Sequence, residues 1–444
     1  VSDGTGADIS YSGSDTTLSA NWAAFTETVS GIQKYEYAIG DTIGGTDVVT
    51  WTDNSTTTSV TKTGLSLTSG STYYISVRAT DNAGNVATVV TSDGVTVDTA
   101  VPSAGSVSDS TAADLDWTKS TTTLTAVWTG FSDALSGIQK YEYAIGTTSG
   151  GTDVLSWTDN ATATSVNKTG LTLTSGTTYY ISVRATDNVG NISAIASSDG
   201  ITVDTDGPAL EAPFEGSLTA DIDYQNSATE LIIAWSGSDS ASVIALYEYA
   251  LGVTPGGTQI VPWTFAGTAT ADTLFFSSYQ PLIEGVTYYL SVRATDVAGN
   301  MSSVSLGDGI YIDFTDPVAG SAIDGLSTDI SYTGSDSTLT ISWSGFNDTH
   351  SGIASYKAAI EDEAGNSVVD WTDVGNVDTW TATGLSLSNA TTYHVLIRAA
   401  DGAGNLSTSV STNGITVDTD GPVVGYVLDG DAGDMDWANV DSIL

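Results

Sequence analysis

Four loops of this sequence pair an aspartate with an asparagine four residues on: Asp81/Asn85, Asp187/Asn191, Asp296/Asn300 and Asp401/Asn405. Other acids recur in step with them. An aspartate ends an apolar run at Asp98, Asp204, Asp313 and Asp418, and a further acid stands at Glu27, Asp133, Asp239 and Asp348. Grouped by register, the candidate sets are Asp98, Asp133 and Asp187; then Asp204, Asp206, Asp239 and Asp296; then Asp313, Asp316, Asp348 and Asp401. Carboxylates drawn from separate segments suit calcium, which takes six to eight oxygens in flexible geometry. The same residues also have a plainer use. Aspartate accepts backbone N–H groups across a turn, glycine supplies a positive φ, and asparagine tolerates left-handed backbone. Both readings stand on the sequence alone.

Other chemistry is poorly provided for. There is no cysteine, and the two histidines, His350 and His394, both fall in the last quarter of the chain. A Ser-His-Asp relay therefore has no histidine in the first three quarters. The H-E-x-x-H, G-x-x-x-x-G-K-[ST] and C-x-x-C patterns are absent, as is the calcium loop of an EF-hand. His350 reads as a loop residue, and His394 stands where Tyr74, Tyr180 and Tyr289 stand elsewhere. The glycine pairs at 44–45, 150–151 and 256–257 read as hairpin turns, not phosphate cradles. The expectation is a chain without an active site.

Ten basic residues against 53 acidic ones give a net charge of −43. Nucleic acid and anionic membrane both need clustered Lys and Arg, so neither is an expected partner. No apolar run is long enough for membrane insertion. Such a surface favours cations, either as bound calcium or as salt that screens self-repulsion. With 40% hydrophobic residues, 11 Trp and 20 Tyr, folded cores are affordable and a disordered acidic tail is excluded. Lack of cysteine beside abundant Thr, Ser, Gly and Asp suits an exported prokaryotic protein. No leader is visible, and a targeting segment is expected to lie outside the sequence.

The elements that must hold these residues come in copies. Trp22, Trp128, Trp235 and Trp343 stand 106, 107 and 108 residues apart, ending LSANW, LTAVW, LIIAW and LTISW. Arg78, Arg184, Arg293 and Arg398 follow inside YYISVRATDNAGN, YYISVRATDNVGN, YYLSVRATDVAGN and YHVLIRAADGAGN. Self-similarity at that period marks one small domain copied in tandem. Within a copy the apolar period is two: Leu124, Ala126 and Trp128, then Tyr141, Tyr143 and Ile145, then Tyr179, Ile181, Val183 and Ala185. That is the pattern of half-buried strands, and Gly-, Asn- and Ser-rich turns divide them. Each copy is expected to be an antiparallel β-sandwich of about seven strands. The repeated arginines are expected to pair with acids or to stack on Trp51, Trp157, Trp263 and Trp371.

A Trp closing the second strand, a Tyr-x-Tyr on the third and the run Leu173-Thr-Ser-Gly-Thr-Thr-Tyr179 before I-S-V-R-A resemble a fibronectin type III domain. In that family the leucine and tyrosine, six apart, form a tyrosine corner. The spacing holds at Leu67 and Tyr73, Leu282 and Tyr288, and Leu387 and Tyr393, although SSYQPLIEGVTYYL in the third copy departs from the pattern. The endings TVDTAVP, TVDTDGP, YIDFTDP and TVDTDGP also resemble bacterial Ig-like repeats of large surface adhesins. The resemblance implies an all-β fold class: four tandem Ig-like or fibronectin type III-like sandwiches in an extended rod. It also implies that the D-x-x-G-N loop and the loop after the Trp strand share one end of each sandwich. The final aspartate of the preceding copy arrives at that same end. The candidate acids would then converge at junctions, and calcium would be the implied cofactor.

Pro102, Pro208, Pro317 and Pro422 mark short linkers, where proline favours an extended path. The expected boundaries are 1–99, a first sandwich without its opening strand, then 100–205, 206–314 and 315–419. Residues 420–444 begin a fifth copy, since 427–444 align with 1–18. The expected function is a non-enzymatic, extracellular spacer of a prokaryotic cell-surface adhesin. Its partners would be neighbouring repeats or copies of itself, with a surface glycan or host receptor reached through terminal domains outside this sequence. The alternative is a self-assembling subunit of an extracellular filament or surface layer, in which residues 418–426 of one copy complete the first sandwich of the next by head-to-tail strand exchange.

Overall fold

A computed structural model describes residues 1–111, 113–277 and 280–425. The first sandwich sets the pattern with nine strand segments: β1 (Ser2–Asp3), β2 (Tyr11–Ser12), β3 (Thr17–Asn21), β4 (Ile32–Gly40), β5 (Val49–Asp53), β6 (Ser59–Thr63), β7 (Thr72–Asp81), β8 (Val90–Thr91) and β9 (Val95–Val97). One sheet is ordered β1-β3-β6 and the other β2-β9-β7-β4-β5, with β8 also on β7. The second and fourth sandwiches repeat this arrangement over residues 106–203 and 321–417. The third adds a two-stranded pair, Ala209–Leu210 with Gly237–Ser238. No helix occurs among the described residues.

Two expectations are corrected. The first sandwich has its opening strand: Ser2 pairs with Asn21 and Asp3 with Ala20. Two residues suffice because the chain then leaves that sheet for the other. The sandwich is also not purely antiparallel. After crossing, β2 runs parallel to β9, Tyr11 opposite Thr96 and Ser12 opposite Val97, and the same parallel pair recurs in each copy. The fifth copy expected over 420–444 lies, from residue 426 onward, outside the described residues.

The period-two pattern becomes the core. Leu18, Ala20 and Trp22 meet Tyr35, Tyr37 and Ile39 and the inward residues Tyr73, Ile75, Val77 and Ala79. Trp22, Trp128, Trp235 and Trp343 occupy the same buried place in their clusters. Trp22 and Trp128 lie edge-on to Tyr35 and Tyr141 at 5.9 Å between centroids, the geometry aromatic quadrupoles favour. The tyrosine corner forms in all four copies. Tyr73, Tyr179, Tyr288 and Tyr393 each accept at the hydroxyl from a backbone N–H five residues earlier, at 2.8–3.0 Å.

Contacts divide the chain into two compact units. The first holds Val1–Pro208 with Asp239–Val243 and Asp296–Met301; the second holds Ala209–Ser238, Ile244–Thr295 and the chain from Ser302. Each of the three expected acid sets falls wholly inside one unit.

Candidate functional sites in the repeats

In the first unit, Asp98, Asp133 and Asp187 bring carboxylate oxygens within 4.8 Å of one another, and so do Asp204, Asp239 and Asp296. Both trios lie within the sets grouped by register, with Asp206 left out of the second. Their surroundings differ. Asp187 Oδ1 accepts three backbone N–H groups, from Val189, Gly190 and Asn191, and Oδ2 accepts from the Asn191 amide. Asp98 accepts from Ala100 and from Ser136 of the next copy. Those oxygens are well supplied by turn donors, as the plainer reading requires. At the second trio Asp239 Oδ1 accepts from Ala241 and Ser242, but Asp239 Oδ2 and Asp204 Oδ2 are buried without a hydrogen-bond partner. A buried acceptor left unpaired is costly. Of the three acid sets, this trio is the one that leaves buried carboxylate oxygens without partners. Asp206 and Asp316 are exposed; Asp206 contributes its own N–H to Asp204.

In the second unit Asp313 accepts from Thr315 N–H and from the Ser351 backbone and hydroxyl, while Asp348 accepts three N–H groups from His350, Ser351 and Gly352. His350 Nδ1 stands 3.9 Å from Asp313, so this histidine is drawn toward the acids instead of simply facing solvent. Asp401 shows what the cluster costs. Burial raises its pKa, with Asp313 and Asp348 adding to the rise. The equivalent Asp81, hydrogen-bonded by Asn85 in the same loop, is instead lowered. The loop favours the charged form, and the company of other acids opposes it.

The same loops tie the copies together. Asn191 donates to the carbonyls of Asp98 and Ala100 at 3.1 and 3.0 Å, Asn300 to that of Asp204 at 2.8 Å, and Asn405 to that of Asp313 at 3.0 Å. Short β-bridges, Ser103 with Ser132 and Val318 with Asn347, add to the first and third of these contacts. The arginines behave as their neighbours suggested. Arg78, Arg184, Arg293 and Arg398 lie 4.2–4.4 Å over Trp51, Trp157, Trp263 and Trp371. The first three also pair with Glu36, Glu142 and Glu248 at 2.8–3.0 Å.

A second family of acids was missed by sequence reasoning. Asp3, Glu215 and Asp324 are buried at the ends of the opening strands of their sandwiches, and Asp109 directly after the opening strand of the second. Asp3, Asp109 and Asp324 each accept at Oδ2 from a glycine N–H, of Gly94, Gly200 and Gly414. Those glycines hold φ near +104° to +108° against the ring of Tyr74, Tyr180 or His394, where a Cβ would come within 2.7 Å. Beside the acid a hydroxyl caps the long strand: Ile75, Ile181 and Val395 donate to Ser92, Ser198 and Thr412. In the third sandwich the hydroxyl is replaced by Gly307, and the longer Glu215 fills its place, accepting from Leu290 at 2.9 Å. Burial pushes Asp3 and Asp109 up to about 6 and Glu215 up to about 8. The usable signal was an acid on the opening strand matched to S-D-G at 92–94 and 198–200, G-D-G at 307–309 and T-N-G at 412–414.

No protein-family model matches the chain. It is 31% identical over 305 residues to Exoglucanase B of Cellulomonas fimi, covering 67% of this chain and 24% of that protein. The chain therefore spans about a quarter of that relative's length. Among solved structures, the FN1-FN3 domains of chicken CNTN1 align with 15% identity over 71% of this chain and 99% of theirs, TM-score 0.30. A tetra-tandem repeat from the extending region of a large adhesion protein aligns with 20% identity over 91% of this chain and 96% of its own, TM-score 0.29. The sheet order and the four tyrosine corners make each copy a fibronectin type III-like sandwich, and the chain a tandem array of them.

Proposed function

We propose that this array is a non-enzymatic extracellular spacer, a segment of a prokaryotic surface adhesin. The observation that carries the reading is the repeated tie between copies. In the first unit Ser136 and Asn191 of the second sandwich bond to the carboxylate and carbonyl of Asp98, which ends the first. In the second unit Ser351 and Asn405 do the same for Asp313. A spacer needs its modules joined in a set way, and here one loop motif does that at successive copies. Calcium would complete the acid sets, most fittingly at Asp204, Asp239 and Asp296, where two buried carboxylate oxygens await a donor. The relative Exoglucanase B supports a neighbouring version of the same reading, in which the array spaces parts of an extracellular glucan-degrading enzyme.

The test is small-angle scattering and thermal melting of the whole chain in calcium and in chelator. A monomer whose melting temperature and maximum dimension fall on chelation is the expected result. Unchanged values would return the acids to turn duty.

The alternative reading is self-assembly by strand exchange. A cavity of about 530 Å³ in the first sandwich is lined by Trp22, Phe25, Thr26 and Asn85. Thr26 corresponds to Ser132, which in the second sandwich pairs with linker residue Ser103. In that reading a segment like 418–425 would take the place the linker takes in the second sandwich; residue 426, the end of the proposed exchange strand, lies outside the described residues. Light scattering decides: chain-length growth with concentration, lost on deleting 418–444, supports assembly, whereas a monomer at all concentrations removes it.

A further inference from the structure

The acids on the opening strands do more than brace a loop. In the first sandwich Asp3, Asp8 and Asp93 present carboxylate oxygens within 4.8 Å of one another, and in the second Asp109, Asp114 and Asp199 do the same. Each trio has one buried member, Asp3 or Asp109, and two exposed ones. The exposed pair leaves a way in for an ion and for the waters that complete its shell. Asp8 and Asp114 are held in place, each accepting at Oδ1 from the backbone N–H of the buried acid, at 2.6 and 2.7 Å.

A second, independent feature points to a ligand. Oδ2 of Asp3 is satisfied by Gly94 and Oδ2 of Asp109 by Gly200, at 3.1 Å each. The other oxygen, Oδ1, is buried in both without a hydrogen-bond partner, as is Oδ1 of Asp324 in the fourth sandwich, although the Ser92 and Ser198 hydroxyls lie beside these carboxylates and favour their charged form. A buried carboxylate oxygen facing two further carboxylates lacks positive charge, and among the described residues no lysine or arginine is paired with any of these six acids. All-oxygen donors of this charge are hard ligands, suited to calcium and poorly suited to softer metals.

The fourth sandwich supplies an internal contrast. Its counterparts are Asp324, Asp329 and Asn413, so one carboxylate has become an amide. Asn413 donates through Nδ2 to Asp329 at 2.8 Å. An amide hydrogen bond there takes up the negative charge that the first two sandwiches leave facing another acid. The third sandwich differs again, with Glu215 reaching to Leu290 and its neighbour Asp221 bonded to the Glu215 N–H.

We infer that Asp3, Asp8 and Asp93, and likewise Asp109, Asp114 and Asp199, are intradomain calcium sites, one in each of the first two sandwiches. They are separate from the acid sets where copies meet, and stand whether or not those bind. Each ion would pin the end of the opening strand to the turn before the last strand, joining the two sheets at one end of the sandwich.

The experiment is calcium titration calorimetry on the full chain at pH 7.5, counting ions bound. Asp93→Asn with Asp199→Asn copies what the fourth sandwich already carries, so the fold is expected to persist. The expected result is two fewer ions per chain. Asn413→Asp is the reverse arm, expected to add one ion. Terbium gives a local readout, since Tyr74 and Tyr180 lie against Gly94 and Gly200: Tyr74→Phe with Tyr180→Phe should lower tyrosine-sensitised emission in the parent chain and not in the Asp93→Asn, Asp199→Asn chain. Loss of the ions of Asp98, Asp204 and Asp313 variants alone tests the acid sets between copies and leaves this inference untouched. An unchanged ion count in both the loss and the gain variants would overturn it.

Discussion

The first and fourth sandwiches have the same sheet order, the same tyrosine corner and the same buried tryptophan, yet their polar side chains differ, most tellingly at two places. Asp93 becomes Asn413, and Glu36 becomes Lys357. The first change trades a third carboxylate for an amide that bonds Asp329. The second removes the partner of the strand arginine: Arg78 bonds Glu36, whereas Arg398 Nε, directly across from Lys357, has no hydrogen bond and rests on Trp371. The lesson is that the apolar frame is what all copies must keep, because packing at interior density tolerates little change. The charged positions are adjustable settings on that frame.

The largest expected effect tests the frame itself. Trp128→Ala should cost about 3–5 kcal/mol in the second sandwich, and Trp343→Ala a similar amount in the fourth, read by chemical denaturation. Equal costs would show that the two copies share one frame. A cost below about 1 kcal/mol in either would break the comparison at its base.

The second effect comes from the third sandwich, where the buried acid is a glutamate pushed up to about 8. Burial is the main cause, and Asp221 and Asp308 add to it. Below its ordinary value near 4.5 both folded and unfolded chains hold the proton. Between there and about 8 the unfolded chain releases it while the folded chain keeps it, so stability falls as pH climbs and levels off above 8. Glu215→Gln removes this loss, and the amide can still accept from Leu290. The variant should match the parent near pH 4 and exceed it at pH 9 by roughly 3 kcal/mol, allowing for relaxation around the site. Parallel melting curves for parent and variant at pH 4 and pH 9 check it; identical curves at pH 9 would mean the carboxyl is comfortably ionised.

Calcium should come next in size. At a free concentration a hundred times its dissociation constant, a site stabilises by about 2.7 kcal/mol. Asp204→Asn with Asp239→Asn replaces both acids whose oxygens lack partners, and should abolish one such increment while improving the melt in chelator. A calcium response that survives this pair would direct attention to the other trios.

What the sequence disclosed follows from how each feature is encoded. The sandwich is written in a period of two with buried residues on one side, and the junction trios in acids that recur at a fixed offset. Both are patterns along the chain, and both were legible. The opening-strand acids were not, because the strand that carries Asp3 is too short to show a period and neither Asp3 nor Asp93 stands in a recognisable ligand motif. Their meeting depends on β1 and the turn before β9 lying at one end of the sandwich, which only the register reveals. The parallel β2–β9 pair hid for the same reason: a two-residue strand carries no period. His350 looked like a surface residue because its acidic neighbours Glu284 and Asp313 come from the preceding copy.

The smallest expected effect is the strand arginine. In the first two sandwiches the glutamate stands across from an aspartate as well as from the arginine, Glu36 opposite Asp53 and Glu142 opposite Asp159. A lysine two residues earlier holds that like-charged pair: Lys34 reaches Glu36 and Asp53 at 3.2 and 3.7 Å, and Lys140 reaches Glu142 and Asp159 at 3.3 Å each. The fourth sandwich has Ser355 in place of that lysine, bonded to Asp373, and Lys357 lies across from the same acid. Lys357→Glu alone therefore gains Arg398 but sets two acids face to face, and should change stability little. Ser355→Lys added to it rebuilds the whole set and should stabilise the fourth sandwich by about 0.5–1 kcal/mol, the range of partly exposed ion pairs. The gain should shrink in high salt, because these groups are reached by solvent. A double-mutant cycle on Ser355 and Lys357, run at low and high salt, gives the coupling directly. Full additivity, with the single Lys357→Glu already stabilising by that amount, would show that the lysine in the first two sandwiches plays no part in the arginine's setting.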